Sequence, residues 1–148
     1  MNDARAKGFR VCYLDELHCS QHTIERLAWS NKYRNIEVSN SKYYFKPIHI
    51  VCAISMENGL EAIQIHSKHI NSKLYSKIFK EIEKNGPNWV ILADQLVVHW
   101  SKYTTRKMVK ANTVYIRNCY YSPFLNPIEM YFNVLKKFFR QNRLQVAL

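Results

Sequence analysis

Three acidic residues stand where a regular element gives way to its neighbour. Asp15 follows the apolar run RVCYL (Arg10–Leu14), Asp94 closes NWVILAD, and Glu129 completes NPIE (Asn126–Glu129). If the strands bearing Asp15 and Asp94 are neighbours in a sheet, their carboxylates lie side by side and repel, and a divalent cation is the usual remedy. Hard oxygen ligands suit Mg²⁺ or Mn²⁺, and two such ions about 3.5–4 Å apart can clamp both sides of a phosphodiester displacement. A lone acid at an element end serves equally well as a helix cap or a surface charge. Three in that position favour the metal reading, and spacing alone leaves both open.

The elements that must position these acids can be read from the pattern. RVCYL is β-branched and aromatic enough for a buried strand that ends at the Asp15-Glu16 pair. Tyr43–Ser55 and Leu60–Ser67 flank Glu57-Asn58-Gly59, an Asn-Gly turn signal, and predict an antiparallel hairpin. Asn71 caps a helix in which Leu74, Ile78 and Ile82 recur every four residues and which stops at Gly86-Pro87. NWVILAD reads as a strand covered on both faces, Ser101–Ala111 as a helix and Thr113–Asn118 as a short strand. Asn126, Pro127 and Glu129 fit an N-cap, a first-turn proline and a first-turn acid. The helix they open runs to about Gln141 and buries Ile128, Tyr131, Phe132, Leu135 and Phe139. The order strand, strand, strand, helix, strand, helix, strand, helix predicts an α/β fold, a mixed sheet flanked by helices.

With 148 residues, 47% of them hydrophobic, the chain supports one core and one domain. Lys and Arg outnumber Asp and Glu 22 to 11, a formal charge of +11 that points to a polyanionic partner, nucleic acid first. Lys102, Arg106 and Lys110, with Lys107 beside them, make one basic helix face. Asn133, Lys136, Lys137 and Arg140 share a flank of the last helix with Glu129. These strips would lie along phosphates, although any one lysine is as well explained by solvation. Cys12, Cys19, Cys52 and Cys119 lack C-x-x-C spacing and read as reduced thiols. Glu16, His18, Cys19 and His22 do not make a zinc site, because successive strand residues point to opposite faces; His66 and His69 are read the same way. Trp29, Trp89 and Trp100 are expected in packing, Ser30–Ser41 as a loop, and Tyr120 and Tyr121 as buttresses of the turn before Glu129. No apolar run approaches membrane-helix length and no signal peptide opens the chain, so a soluble intracellular protein with no membrane contact is expected.

The segment YSPFLNPIEMYFNVLKK (Tyr121–Lys137) resembles the signature around the third acid of Tc/mariner-type DDE transposases. ADQLVVHWSK (Ala93–Lys102) is similar to that family's second-Asp strand with its downstream histidine, and YLDE (Tyr13–Glu16) to its first. The 34 residues between Asp94 and Glu129, and the closing Glu, match the Tc branch; the mariner branch closes with Asp. The resemblance spans about Val11 to Phe139. It implies a ribonuclease H-like fold with a mixed five-stranded sheet, and Asp15, Asp94 and Glu129 as catalytic ligands of a two-metal Mg²⁺ or Mn²⁺ site. Gln95, His99, Asn126 and Asn133 become supporting residues; Gln95 stands where the family usually carries Asn. The implied activity is metal-dependent DNA strand cleavage and strand transfer, on DNA, as a homo-oligomer, in the nucleus. Family members carry paired helix-turn-helix modules ahead of this domain. Residues 1–148 read as a single catalytic domain without them, which leaves room for a separate DNA-recognition partner. The alternative is a domesticated, catalytically silent DNA-binding or complex-assembly subunit.

Overall fold

The computed structural model describes residues 5–20, 46–111, 113–119 and 126–145. Five strands, β1 (Arg10–Cys19), β2 (Ile48–Ser55), β3 (Gly59–His66), β4 (Trp89–Ala93) and β5 (Val114–Arg117), form one sheet in the order β3-β2-β1-β4-β5. β1 is antiparallel to β2 and parallel to β4, and β4 is parallel to β5. The sheet is therefore mixed, with β1 at its centre and β4 beside it, as the two-acid argument required.

Strand alternation divides the core in two. On one face Cys12, Leu14, Val51, Ala53 and Ile91 pack under three helices: α1 (Ser72–Tyr75), α2 (Lys77–Lys84) and α3 (Lys102–Lys110). On the other, Val11, Tyr13, Leu17, Ile50, Cys52 and Ile54 meet α4 (Ile128–Gln145) through Ile128 and Phe132, with Tyr131, Leu135 and Phe139 at the margin. Those five α4 residues are the stripe expected from the spacing. Trp89 is fully buried and Cys12, Cys19 and Cys52 are buried free thiols, also as expected, whereas Cys119 is exposed. Among the described residues no helix is long and apolar enough to cross a membrane.

Three features differ from the sequence reading. β1 does not stop at Leu14 but continues to Cys19, because its ladder with β2 runs from Cys12↔Ser55 to Cys19↔Ile48 and holds the strand beyond the end of β4. The helix after Asn71 is two helices, with Ser76 closing the first and its hydroxyl donating to the Lys73 carbonyl. Competition of that kind from serine explains the break. α4 runs on to Gln145. Trp100 is half-buried in edge packing, as expected, with the Arg117 guanidinium 4.2 Å from its ring. Trp29, His22, Ser30–Ser41, Tyr120 and Tyr121 lie outside the described residues.

The end of the sheet away from Asp15 is fastened by a buried acid. A bulge between Ala53 and Ile54 leaves Glu61 without a direct β2 partner. Its Oε1 accepts from Ser55 Oγ at 2.6 Å, Asn58 Nδ2 at 3.0 Å and Arg10 at 3.3 Å, and its Oε2 accepts from Asn85 at 2.8 Å. Burial raises the Glu61 pKa, but these donors outweigh it and hold the carboxyl below its usual range. Arg10 also lies 4.1 Å over Trp89, so β1, β3, β4 and the end of α2 share one anchor.

Candidate active site

β4 ends at Ala93, opposite Leu14 in the parallel ladder, so Asp94 leaves the sheet beside the position where β1 presents Asp15. Asp15 is mid-strand in β1 yet lies immediately past the last β4 pairing. Its Oδ2 accepts from Asn126 Nδ2 at 2.9 Å, and its Oδ1 accepts from the Glu16 amide at 2.7 Å. Asn126 is buried and does two jobs: its Oδ1 accepts from the Ile128 amide at 3.4 Å and its carbonyl from the Glu129 amide at 3.1 Å. The residue that starts α4 thereby ties the helix bearing Glu129 to Asp15.

Burial pushes the Asp15 pKa up to about 7, offset in part by the Glu16 amide and pushed further by the charges of Asp94 and Glu129. Asp15 thus feels both of the other acids. Among the described residues, no three His, Cys, Asp or Glu side chains are closed around a common point. The donor set still fits a hard divalent cation: it is all carboxylate oxygen, and its inner member is held above its ordinary range by desolvation and like charge.

Asp94 is steered by a fully buried histidine. His99 Nδ1 lies 2.6 Å from Asp94 Oδ1 and its Nε2 lies 3.1 Å from Glu16 Oε1, while Tyr75 stacks on the ring at 4.2 Å. Burial disfavours the imidazolium, but Asp94 and Glu16 overcome it and raise the His99 pKa to about 9. Burial likewise opposes ionisation of Asp94, yet the His99 bond and charge and the Leu96 amide keep its pKa below the usual value. Sequence reasoning missed Glu16 as His99's second partner. Alternation along β1 does put Asp15 and Glu16 on opposite faces, so Glu16 cannot share the α4 face with Asp15, but it does not name His99 as its partner. Gln95 Nε2 donates to the Asn118 carbonyl at 2.9 Å, beyond the end of β5.

The basic residues fall in two places. Lys102, Arg106 and Lys110 are exposed on α3 and, with Trp100, Thr105 and Val109, line an open groove of about 510 Å³. Lys107 is half-buried, 5.7 Å from the Tyr103 ring. On α4, Asn133 and Lys137 are exposed and Lys136 is half-buried, near enough to lower the pKa of Cys19 against the upward push of burial. The Arg140 side chain lies outside the described residues.

A family model described as DDE superfamily endonuclease matches residues 10–146. No curated protein is significantly similar in sequence. Among solved structures, the chain is similar to a Mos1 transposase paired-end complex with the left transposon end, at a TM-score of 0.66 and 12% identity. That match covers 92% of this chain and 44% of the other, so this chain spans less than half the Mos1 length. It is similar to a simian T-cell lymphotropic virus intasome at TM-score 0.62 and 13% identity, over 93% of this chain and 46% of that one. The Mos1 transposase catalytic domain with Raltegravir and Mn matches at TM-score 0.60 and 12% identity, over 92% and 66%. The shared fold is ribonuclease H-like, with the mixed five-stranded sheet described above.

Proposed function

For this chain, which belongs to the DDE superfamily endonuclease family, we propose the role of a Tc/mariner-type transposase catalytic domain that cuts and joins DNA strands. The observation that carries the reading is the in-register pairing of β1 with β4, which sets Asp15 and Asp94 at one end of adjacent strands while Asn126 draws the start of the Glu129 helix to Asp15. Asp15, Asp94 and Glu129 would hold Mg²⁺ or Mn²⁺, which when bound supplies charge to the crowded phosphate and an activated water or terminal hydroxyl. The chain's own residues set the stage for that chemistry. His99, braced by Glu16 and Tyr75, fixes the orientation of Asp94, and Asn126 fixes that of Asp15. Lys102, Arg106 and Lys110 on α3, and Lys137 on α4, would meet DNA phosphates. Action as a homo-oligomer on DNA, a nuclear location and a separate DNA-recognition partner belong to the same proposal.

A second reading, a catalytically silent DNA-binding or assembly subunit, is favoured by one observation. The Nε2 of Gln95, next to Asp94, is committed to the Asn118 carbonyl. Nicking of a labelled duplex by the purified full chain with Mn²⁺, Mg²⁺ or EDTA, beside Asp94→Asn, separates the two. Metal-dependent cutting that Asp94→Asn abolishes while DNA binding persists supports the transposase. A folded chain that binds DNA and never cuts supports the silent subunit.

A further inference from the structure

A second group of metal-type ligands lies away from the three acids. Cross-strand pairing sets His18 on β1 opposite His49 on β2, and His49 opposite His66 on β3, so three imidazoles start from one level of three adjacent strands. Directly opposed residues of an antiparallel pair share a face. That face is the one bearing α1–α3, opposite to the face of Asp15, since His18 is three residues further along the same strand. His69, just past β3, joins them from a different segment.

The ring centroids of His18 and His49 are 4.5 Å apart, those of His49 and His69 4.5 Å, and those of His18 and His69 6.3 Å. In a tetrahedral site with metal–nitrogen bonds of about 2.0–2.1 Å, two coordinated imidazoles have centroids roughly 5 Å apart. The observed spacings bracket that value. His49 is buried while His18 and His69 are exposed, which gives one fixed ligand and two reachable from solvent. His66 adds an independent sign of an unmet partner: its Nε2 is buried with no hydrogen-bond partner among the described residues. The rings pack on one another rather than already surrounding a common point, so binding requires their side-chain torsions to turn.

We propose that His18, His49 and His69, with His66 available from the next strand, bind one divalent transition-metal ion of the zinc class. Imidazole ligands select Zn²⁺ and its neighbours over Mg²⁺, so the site is chemically separate from the carboxylates. The ion would pin β1 and β2 to the segment leaving β3, at the end of the sheet opposite Glu61.

The test titrates the full chain carrying Cys119→Ser, which removes the exposed thiol, with Zn²⁺ in excess Mg²⁺, read by calorimetry and thermal unfolding. One Zn²⁺ per chain and a raised Tm are expected. His69→Asn and His18→Asn, both at exposed positions, each weaken binding roughly tenfold or more, while Asp15→Asn leaves it unchanged. Absence of saturable binding, binding indifferent to both histidine variants, or binding abolished in Asp15→Asn would overturn the proposal. None of these readouts depends on DNA cutting, so the two proposals fail separately.

Discussion

Asn126→Ala removes the residue that joins Asp15 to the helix carrying Glu129, and its cost can be worked from two hydrogen bonds. The cap bond to Ile128, at 3.4 Å, is long, so its loss belongs at the low end of the N-cap range, about 0.5–1 kcal/mol. The bond to Asp15, at 2.9 Å between a buried amide and a half-buried carboxyl, is worth about 1.5–3 kcal/mol. Together they predict a loss of about 2–4 kcal/mol. Urea unfolding at about pH 8.5 with EDTA, where Asp15 is ionised, measures it, with the midpoint falling and the slope unchanged. Asp15→Ala alone is ambiguous, because it also removes a desolvated acid that Asp94 and Glu129 repel. The cycle Asn126→Ala, Asp15→Ala and the double variant isolates the pair, and a coupling of at least about 1 kcal/mol is expected. A loss below about 0.5 kcal/mol, or a coupling indistinguishable from zero, would refute the claim that Asn126 tethers the helix to the acid.

Because folding raises the His99 pKa to about 9 from 6.5, the stability it lends is complete below pH 6.5 and is lost as pH rises through about 9. His99→Gln should flatten the stability curve across that window in metal-free urea titrations; a curve parallel to wild type would sink the argument. Replacing Lys102, Arg106 and Lys110 together by Ala should lower the salt slope of duplex binding by about 0.9 for each phosphate no longer neutralised, up to about 2.7. An unchanged slope would place DNA elsewhere. Trp89→Ala empties a fully buried site under Arg10 and should cost about 3–5 kcal/mol, read as a lower urea midpoint.

The parts of this fold that were legible in the sequence are those dictated by local chemistry. Asn58-Gly59 marked the β2–β3 hairpin, and Gly59 does adopt φ +75. Asn71, read as a cap, does cap its helix with its side-chain oxygen. The apolar run of β4 announced a strand covered on both faces, and the α4 stripe announced its buried side. What escaped depended on pairing between distant segments. Nothing within RVCYLDELHC shows that β2 holds the strand open past Leu14, and nothing near His99 names Glu16, 83 residues away, as its second anchor. The histidine cluster is hidden for the same reason: along its own strand His18 has no ligand neighbour on its face but Glu16, whereas its partners come from across the ladder.

β1 has unequal support on its two flanks. Its ladder with β4 ends at Leu14, whereas that with β2 continues to Cys19. Asp15 therefore sits on a strand braced by a ladder from one side only. Asp94 follows the end of β4, which β5 still holds through Ala93 and the Asn118 amide. The Asp94 turn is held by side chains, with His99 Nδ1 2.6 Å from its carboxylate and Trp100 Nε1 donating to its carbonyl at 3.2 Å. One acid is thus placed by backbone pairing and the other by aromatic rings behind the sheet, so the gap between them is set as much by packing as by strand register.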